Sequence, residues 1–338
     1  MPKIVARLDP SLSARVVRSR PLLYGDGADP AQDRPAHVRS ASGLVRAAGR
    51  LAVIQDDANF VALVDPATGV SRALPLPAGE GGLRQFDDLR GNKRFKLDVE
   101  CCVIVEDWQK GATLAAFGSG STALRERIVI VRGVDADAPE VRVVDASALY
   151  AALRVEVGFA GSELNVEGVA VTGSVLRLFN RGNGAPRDGR VPVNATCDVA
   201  VDAFLAFVAA PSAAPSPVPR DIVQYDLGAV GGQAFSFTDA AERRGAILYA
   251  AAAEASPDAT RDGPVAGCAI GVIRGGDARY AVVEDAAGRR YTGKIEGILP
   301  HPDDPARLWA VVDRDDPGAA SELLEVELSG EEWVSGGC

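Results

Sequence analysis

Short apolar runs, punctuated by glycine, proline and aspartate, set the pattern of this chain. Residues 164–183, LNVEGVAVTGSVLRLFNRGN, carry it most clearly. Glu167-Gly168 opens one apolar run, Gly173 marks a turn, and a second run ends in the polar cluster Asn180-Arg181-Gly182-Asn183. Runs of four to six residues, rich in β-branched side chains and separated by turn residues, predict an antiparallel meander. The i, i+3, i+4 spacing of an amphipathic helix fits them poorly.

Variants of this unit recur. The first opens at Ser42-Gly43 and runs through 51–54, the polar cluster Gln55-Asp56-Asp57, and 60–64 to the turn at 65–69. The second opens at Glu100-Cys101, reaches GSGST at 118–122, and continues through 127–131 and 141–144. The third is the stretch around Glu167, with outer strands expected at 199–208 and 222–227. The Pro-rich segment 211–220 lies between those two runs and is a surface loop within one repeat. In the fourth, Asp239-Ala240 takes the opening position, 247–252 ends at Glu254, and strands follow at 268–273 and 279–283. The alanine run there is read as strand, because Gly245 and Pro257 bracket it too closely for a helix. The fifth opens at Glu296-Gly297, passes 308–312 into Asp313-Arg314-Asp315, and ends with 323–328.

The opening pairs are spaced by roughly 58, 67, 72 and 57 residues, the size of a four-stranded sheet with its loops. A lone sheet of that size cannot bury both faces, whereas sheets set around an axis cover one another. The predicted fold is therefore all-β, a single domain over 1–338. It is a five-bladed β-propeller of four-stranded antiparallel blades at about 40–95, 96–160, 161–231, 232–290 and 291–338. A strand from residues 1–24 closes the ring; a sixth blade from 1–35 is the other arrangement weighed.

Composition narrows the function classes. Hydrophobic residues make up 47% of the 338, enough for a sizeable core. A net charge of -10 speaks against a general nucleic-acid surface. The N-terminus lacks the apolar core of a signal peptide, and no stretch approaches the ~20 apolar residues of a membrane span. A cytoplasmic location without a membrane partner is the expectation, which makes the Asn194-Ala195-Thr196 sequon coincidental. Cys101, Cys102, Cys197, Cys268 and Cys338 show no C-x-x-C pair and are expected to be reduced thiols. With only His37 and His301, a His-rich zinc site is not expected. His301 reads as a loop residue, and Trp108, Trp309 and Trp333 read as packing residues.

In a propeller the first strand of each blade lines the axis. Glu100, Glu167, Asp239 and Glu296 are then expected to face one channel, where converging carboxylates need a cation, a basic side chain or a proton. Oxygen ligands of this kind suit calcium or another divalent ion, with Glu100, Glu167, Glu296 and Asp313 as its candidate ligands. Lys96, Lys294, Arg181 and Arg314 offer internal neutralisation instead, and the acids can also serve as hydrogen-bonding glue between blades. The polar ends of the second strands gather near the same rim. A small anion there would meet Lys96, Ser119, Ser121, Arg125, Asn165, Arg181, Asn183 and Lys294; a plain charged turn is the alternative for GSGST. That run matches neither the phosphate-loop nor the nucleophile-elbow motif, and no catalytic residue is assigned.

Lys96-Leu97-Asp98-Val99-Glu100, Leu164–Gly168, Lys294–Gly297 and the GSGST and NRGN strand ends resemble those of bacterial propellers. The groups concerned are the phytase-like (esterase-like) proteins, the SdiA-regulated calcium-linked propellers, and uncharacterised families beside them. The likeness covers most of 40–328 and departs from the pattern at Ser42 and Asp239. It implies a five- or six-bladed propeller with an axial polar site that binds calcium. Three functions follow as candidates. One is a protein binding a metal or small anion at the axial rim. Another is a metal-assisted hydrolase of a phosphate or other ester. The third is a structural or protein-interaction propeller without a small-molecule site.

Overall fold

A computed structural model describes residues 1–334 apart from 48, 108–110, 135, 137 and 257–262. Trp108 and Cys338 lie outside the described residues. The described chain is dominated by five up-and-down meanders. The first holds strands Ala41–Ala47, Arg50–Gln55, Phe60–Val64 and Val70–Pro75. The second holds Val99–Asp107, Gly111–Gly118, Arg127–Arg132 and Glu140–Asp145. The third holds Val166–Thr172, Val175–Asn180, Asn194–Ala200 and Arg220–Asp226. The fourth holds Ser236–Arg243, Ala246–Glu254, Val265–Arg274 and Asp277–Glu284. The fifth has Lys294–Pro300, Arg307–Asp313 and Glu322–Ser329. Its outer strand is N-terminal: Ser13–Pro21 pairs antiparallel with Glu322–Ser329.

The first strand of each meander packs on the first strand of the next, and that of the fifth returns to that of the first. This cyclic order makes the arrangement propeller-like, with the first strands around a common axis. Five apolar clusters lie between successive meanders. Ile54 and Val61 meet Leu114 and Val129 between the first and second, for example, and Val53 meets Trp309 and Val311 between the first and fifth. Strand alternation sends adjacent cysteines to opposite clusters, Cys101 toward the third meander and Cys102 toward the first. Cys101, Cys102, Cys197 and Cys268 are all buried free thiols.

The N-terminal segment does more than close the last sheet. Residues Lys3–Val5 pair parallel with the outer strand of the third meander, Arg7–Leu8 with that of the fourth, and Leu23–Tyr24 with that of the first. These additions cover outer edges that would otherwise offer unpaired backbone to another chain.

Two expectations change here. Residues 199–208 do not form one outer strand: the strand ends at Ala200 and helix Val201–Ala209 follows. Phe204, Phe207 and Val208 recur at helical spacing and are buried. They join Leu149, Tyr150 and Leu153 of helix Ser147–Val155 to extend the core between the second and third meanders. The fourth repeat also shifts by one residue, with consequences described below.

The first strands come together too closely for side chains at some positions. A Cβ on Gly297 would stand 2.7 Å from Val311 Cγ2 and 2.8 Å from Gly43 Cα. The second contact is backbone and cannot rotate away. Gly297→Ala is expected to lower unfolding stability by about 1–3 kcal/mol, measurable by urea denaturation; an unchanged midpoint would refute the tight approach.

Candidate functional site

Every first strand carries a β-bulge, and the bulges align the repeats. In the first meander Ala41 and Gly43 pair with Gln55 and Ile54, which leaves Ser42 extra. The same break leaves out Glu100 in the second and Glu167 in the third. It leaves out Thr238 in the fourth and Glu296 in the fifth. A bulge bends the strand and re-aims the extra residue. The equivalent positions are thus Ser42, Glu100, Glu167, Thr238 and Glu296. Asp239 does not stand with the glutamates; it occupies the place of Gly43, Gly168 and Gly297.

The consequence is chemical. Ser42 Oγ donates to the Val99 carbonyl at 2.6 Å, and Thr238 Oγ1 donates to the Ile295 carbonyl at 2.7 Å. Each hydroxyl joins its own meander to the residue before the next bulge. Asp239 accepts the Ile298 amide at 2.8 Å and lines the more apolar opposite end of the axis, with Ala240, Val169 and Ile298. Of the four opening acids, Asp239 acts as glue between meanders, the Ser42 and Thr238 hydroxyls make bonds of the same kind, and three glutamates remain to face a cavity.

That cavity, of about 40 Å³, lies on the axis at the rim where the second strands end. Ten of the residues singled out from the sequence line it: Lys96, Glu100, Arg125, Asn165, Glu167, Arg181, Asn183, Lys294, Glu296 and Asp313. Ser119 and Ser121 do not. They stand behind it, Ser119 Oγ bonding Asp98 and Ser121 Oγ accepting from Arg125 Nη1 at 2.9 Å. Arg314 is also outside, 3.4 Å from Glu322. Asp56 and Asp98 also line the cavity; the sequence places Asp56 among the polar strand ends at this rim without naming it as a ligand, and gives Asp98 no role in the site. Asp98 is two residues before a bulge, on the face that Asn165 and Lys294 share, and that spacing was the available signal.

The charges interlock. Lys96 Nζ lies 2.5 Å from Asp56 and 2.6 Å from Asp98, and Arg125 reaches Asp98 at 2.9 Å. Across the axis, Arg181 pairs with Glu254 at 2.5 Å and Glu167 at 3.4 Å, with Glu296 at 3.9 Å. Lys294 holds Glu296 at 2.9 Å, and Asn165 Nδ2 donates to Glu167 Oε1 at 2.7 Å. Glu254 comes from the long second strand of the fourth meander and its side chain is fully buried.

Carboxylates outnumber bases. Six acids line the cavity (Asp56, Asp98, Glu100, Glu167, Glu296 and Asp313) against Lys93, Lys96, Arg125, Arg181 and Lys294; Glu254 joins them through Arg181. Burial pushes Glu167 up to about 8 despite Arg181, with Glu296 adding to the rise. Burial likewise takes Asp56 to about 7 against the pull of Lys96. Glu100 and Asp313 rise well above the usual carboxylate range, chiefly through burial, and Glu296 rises too. Asp98 goes the other way: burial opposes its charge, but Lys96 and Arg125 outweigh it.

Oxygen donors dominate the lining. Ligand oxygens of Asp56, Asp98 and Glu100 lie within 4.8 Å of one another. Among the described residues, Glu296 Oε2 and Asn183 Oδ1 are buried lining acceptors without a hydrogen-bond partner, against one such donor in the lining, Arg125 Nε. Outside, a vestibule of about 240 Å³ shares Asp56 and Asp313 and adds Asp57, Asp87, Asp88, Asp315 and Asp316. An acidic mouth of this kind concentrates cations. Divalent ions with hard character fit these oxygen ligands better than zinc, which prefers nitrogen and sulfur.

Of the remaining candidates, His301 is a loop residue whose Nδ1 accepts the Asp303 and Asp304 amides at 3.3 and 3.1 Å. Trp309 packs against its ring, centroids 4.5 Å apart, and Trp333 is buried in the core between the fourth and fifth meanders.

Among solved structures, the chain is similar to glutaminyl cyclase of Myxococcus xanthus, at 12% identity and a TM-score of 0.45, over 97% of this chain and 99% of that one. It is similar to a GH43 β-1,3-galactosidase at 8% identity and 0.48, over 90% and 93%. It is also similar to a calcium-binding protein, regucalcin, from Agrobacterium tumefaciens, at 11% and 0.38, over 97% of each chain. No curated protein matches the sequence. The family model that does match is of unknown function, and is neither of the two named groups that the repeats resemble. It spans residues 37–328, all five meanders except the N-terminal strands, and the chain belongs to that family, DUF6929.

Proposed function

We propose that the chain is a five-bladed β-propeller that binds a divalent cation, calcium being the best match, in its axial cavity. The observation that carries this reading is the excess of buried carboxylates around a space of about 40 Å³, with Glu296 Oε2 and Asn183 Oδ1 lacking a hydrogen-bond partner among the described residues. A water needs about 10–15 Å³ of such space, so the cavity suits an ion with a few waters. Asp56, Asp98 and Glu100 are the ligands favoured by proximity, with Glu167 and Glu296 facing them. An ester hydrolase using the same cavity is less well supported, because its bases are already engaged by carboxylates and the space is small.

Lys96 competes with a metal for Asp56 and Asp98. Calcium titration by calorimetry, at a pH above 8 and after chelation, tests the reading. Saturable binding is expected, weakened about tenfold or more by Glu100→Gln and strengthened by Lys96→Met. Absence of heat and of any thermal shift with calcium, magnesium or manganese would overturn it.

A further inference from the structure

A second cavity, of about 300 Å³, opens between the second and third meanders and shares no residue with the axial one. Its chemistry is opposite. Arg154, Arg187 and Arg190 line it, with Ser162 and Glu163.

The chain folds locally to put two of these arginines side by side. Arg187 and Arg190 exchange backbone hydrogen bonds at 3.0 and 2.9 Å across Asp188-Gly189. Both turn residues have positive φ, 53° and 75°, the conformation of a two-residue type I′ turn. Residues directly opposed in this way project from the same face, and like charges there repel. Arg154 adds a third guanidinium, anchored by the Gly120 carbonyl at 2.6 Å and Glu126 at 2.5 Å. Arg187 pairs with Glu163 at 2.9 Å, whereas Arg190 makes no ion pair among the described residues. The buried Ser162 hydroxyl has no hydrogen-bond partner among the described residues. The floor is tight: a Cβ on Gly161 would stand 2.6 Å from the Val191 carbonyl oxygen.

Opposed guanidiniums and an unused hydroxyl around a cavity at the lower end of small-molecule size call for an anion. We propose that this cavity binds a small organic anion through its phosphate or carboxylate group, with Arg154, Arg187 and Arg190 holding the charge and Ser162 donating a hydrogen bond. The site is independent of the axial cation.

Calorimetric titration of the full chain with inorganic phosphate, and separately with succinate, tests it and distinguishes the two anion chemistries. Saturable binding of at least one probe is expected. Arg190→Glu and Arg187→Glu should each weaken it by about tenfold or more. Both side chains are exposed, so folding should survive, and circular dichroism checks that it does. Arg289→Glu, an equal charge change on an exposed side chain of the fourth meander, should leave binding intact. The proposal is overturned if neither probe saturates, if both cavity variants bind as the parent does, or if Arg289→Glu weakens binding as much as they do.

Discussion

Freed of divalent cations, the protein is expected to melt at a falling temperature as pH rises from about 5 to about 9, and calcium is expected to remove most of that fall. The sign comes from the axial carboxyls. Glu167 titrates near 8 and Asp56 near 7 in the folded chain, both raised chiefly by burial. Unfolded, they ionise near the ordinary carboxylate values of about 4. Between those limits the folded state holds protons that the unfolded state has released, so stability falls as pH rises. The effect is full below the unfolded values and is lost as pH passes through the folded ones. Each unit of difference corresponds to about 1.4 kcal/mol, and coupling within the cluster leaves a total on the order of a few kcal/mol. Asp98, held low by Lys96 and Arg125, acts below this window and does not cancel the trend.

A bound cation replaces those protons and favours the ionised cluster, so calcium should bind more tightly as pH rises through 7 and 8. Thermal melts across this pH range, with EDTA and with excess calcium, read both effects. A flat profile in EDTA would show that the axial carboxyls are already neutralised by Lys96, Arg181 and Lys294. A calcium shift that is independent of pH would place the ion elsewhere.

Removal of Arg181 should be the most damaging single change in the site. Its guanidinium is 4% exposed and lies among Glu167, Glu254 and Glu296, whose side chains are 5%, 0% and 6% exposed. Arg181→Met keeps much of the stem but strands buried carboxylates. Breaking a buried pair from one side costs about 3–5 kcal/mol, or a melting shift of about 10 °C for a chain this large. Adding Glu254→Gln to Arg181→Met should recover part of the loss, since it removes one uncompensated charge. Chemical denaturation of the single and double variants gives the comparison. A single variant as stable as the parent would mean that the axial acids are protonated or cation-bound without help from Arg181.

Much of this architecture can be read from the sequence. Apolar runs of period two, turn residues and the roughly regular return of opening pairs such as Glu167-Gly168 and Glu296-Gly297 identify strands, repeats and the residues nearest the axis. The second-strand ends at Asp56, Arg181 and Asp313 meet there because each closes a hairpin opposite a bulge. Local pattern fails where two registers fit equally well. In the fourth repeat, Asp239 resembles the glutamates in charge, but Thr238 takes their place because the bulge lies one position earlier. A one-residue slip sends a side chain to the opposite face of a strand, and hydropathy alone does not resolve it. The helix at 201–209 was hidden for a related reason: VDAFLAFVA is apolar enough for either period, and burial of Phe204, Phe207 and Val208 in the core between the second and third meanders selects the helix.

The arginines of the second cavity are a different case. Asp188-Gly189 signals a tight turn in the sequence, but nothing local brings Arg154 to the same place from a helix more than thirty residues earlier. Pairing of the axial charges is equally nonlocal, since Arg181 and Glu254 belong to different meanders. Sequence by itself determined the strands, the repeat and which polar residues end near an axis, because periodicity and turn chemistry act over a few residues. Tertiary structure decided which residue each bulge re-aims, which charges cancel, and how small a space the remaining carboxylates enclose. Those depend on the positions of the meanders relative to one another, and Coulomb and desolvation energies change steeply over the few ångströms involved.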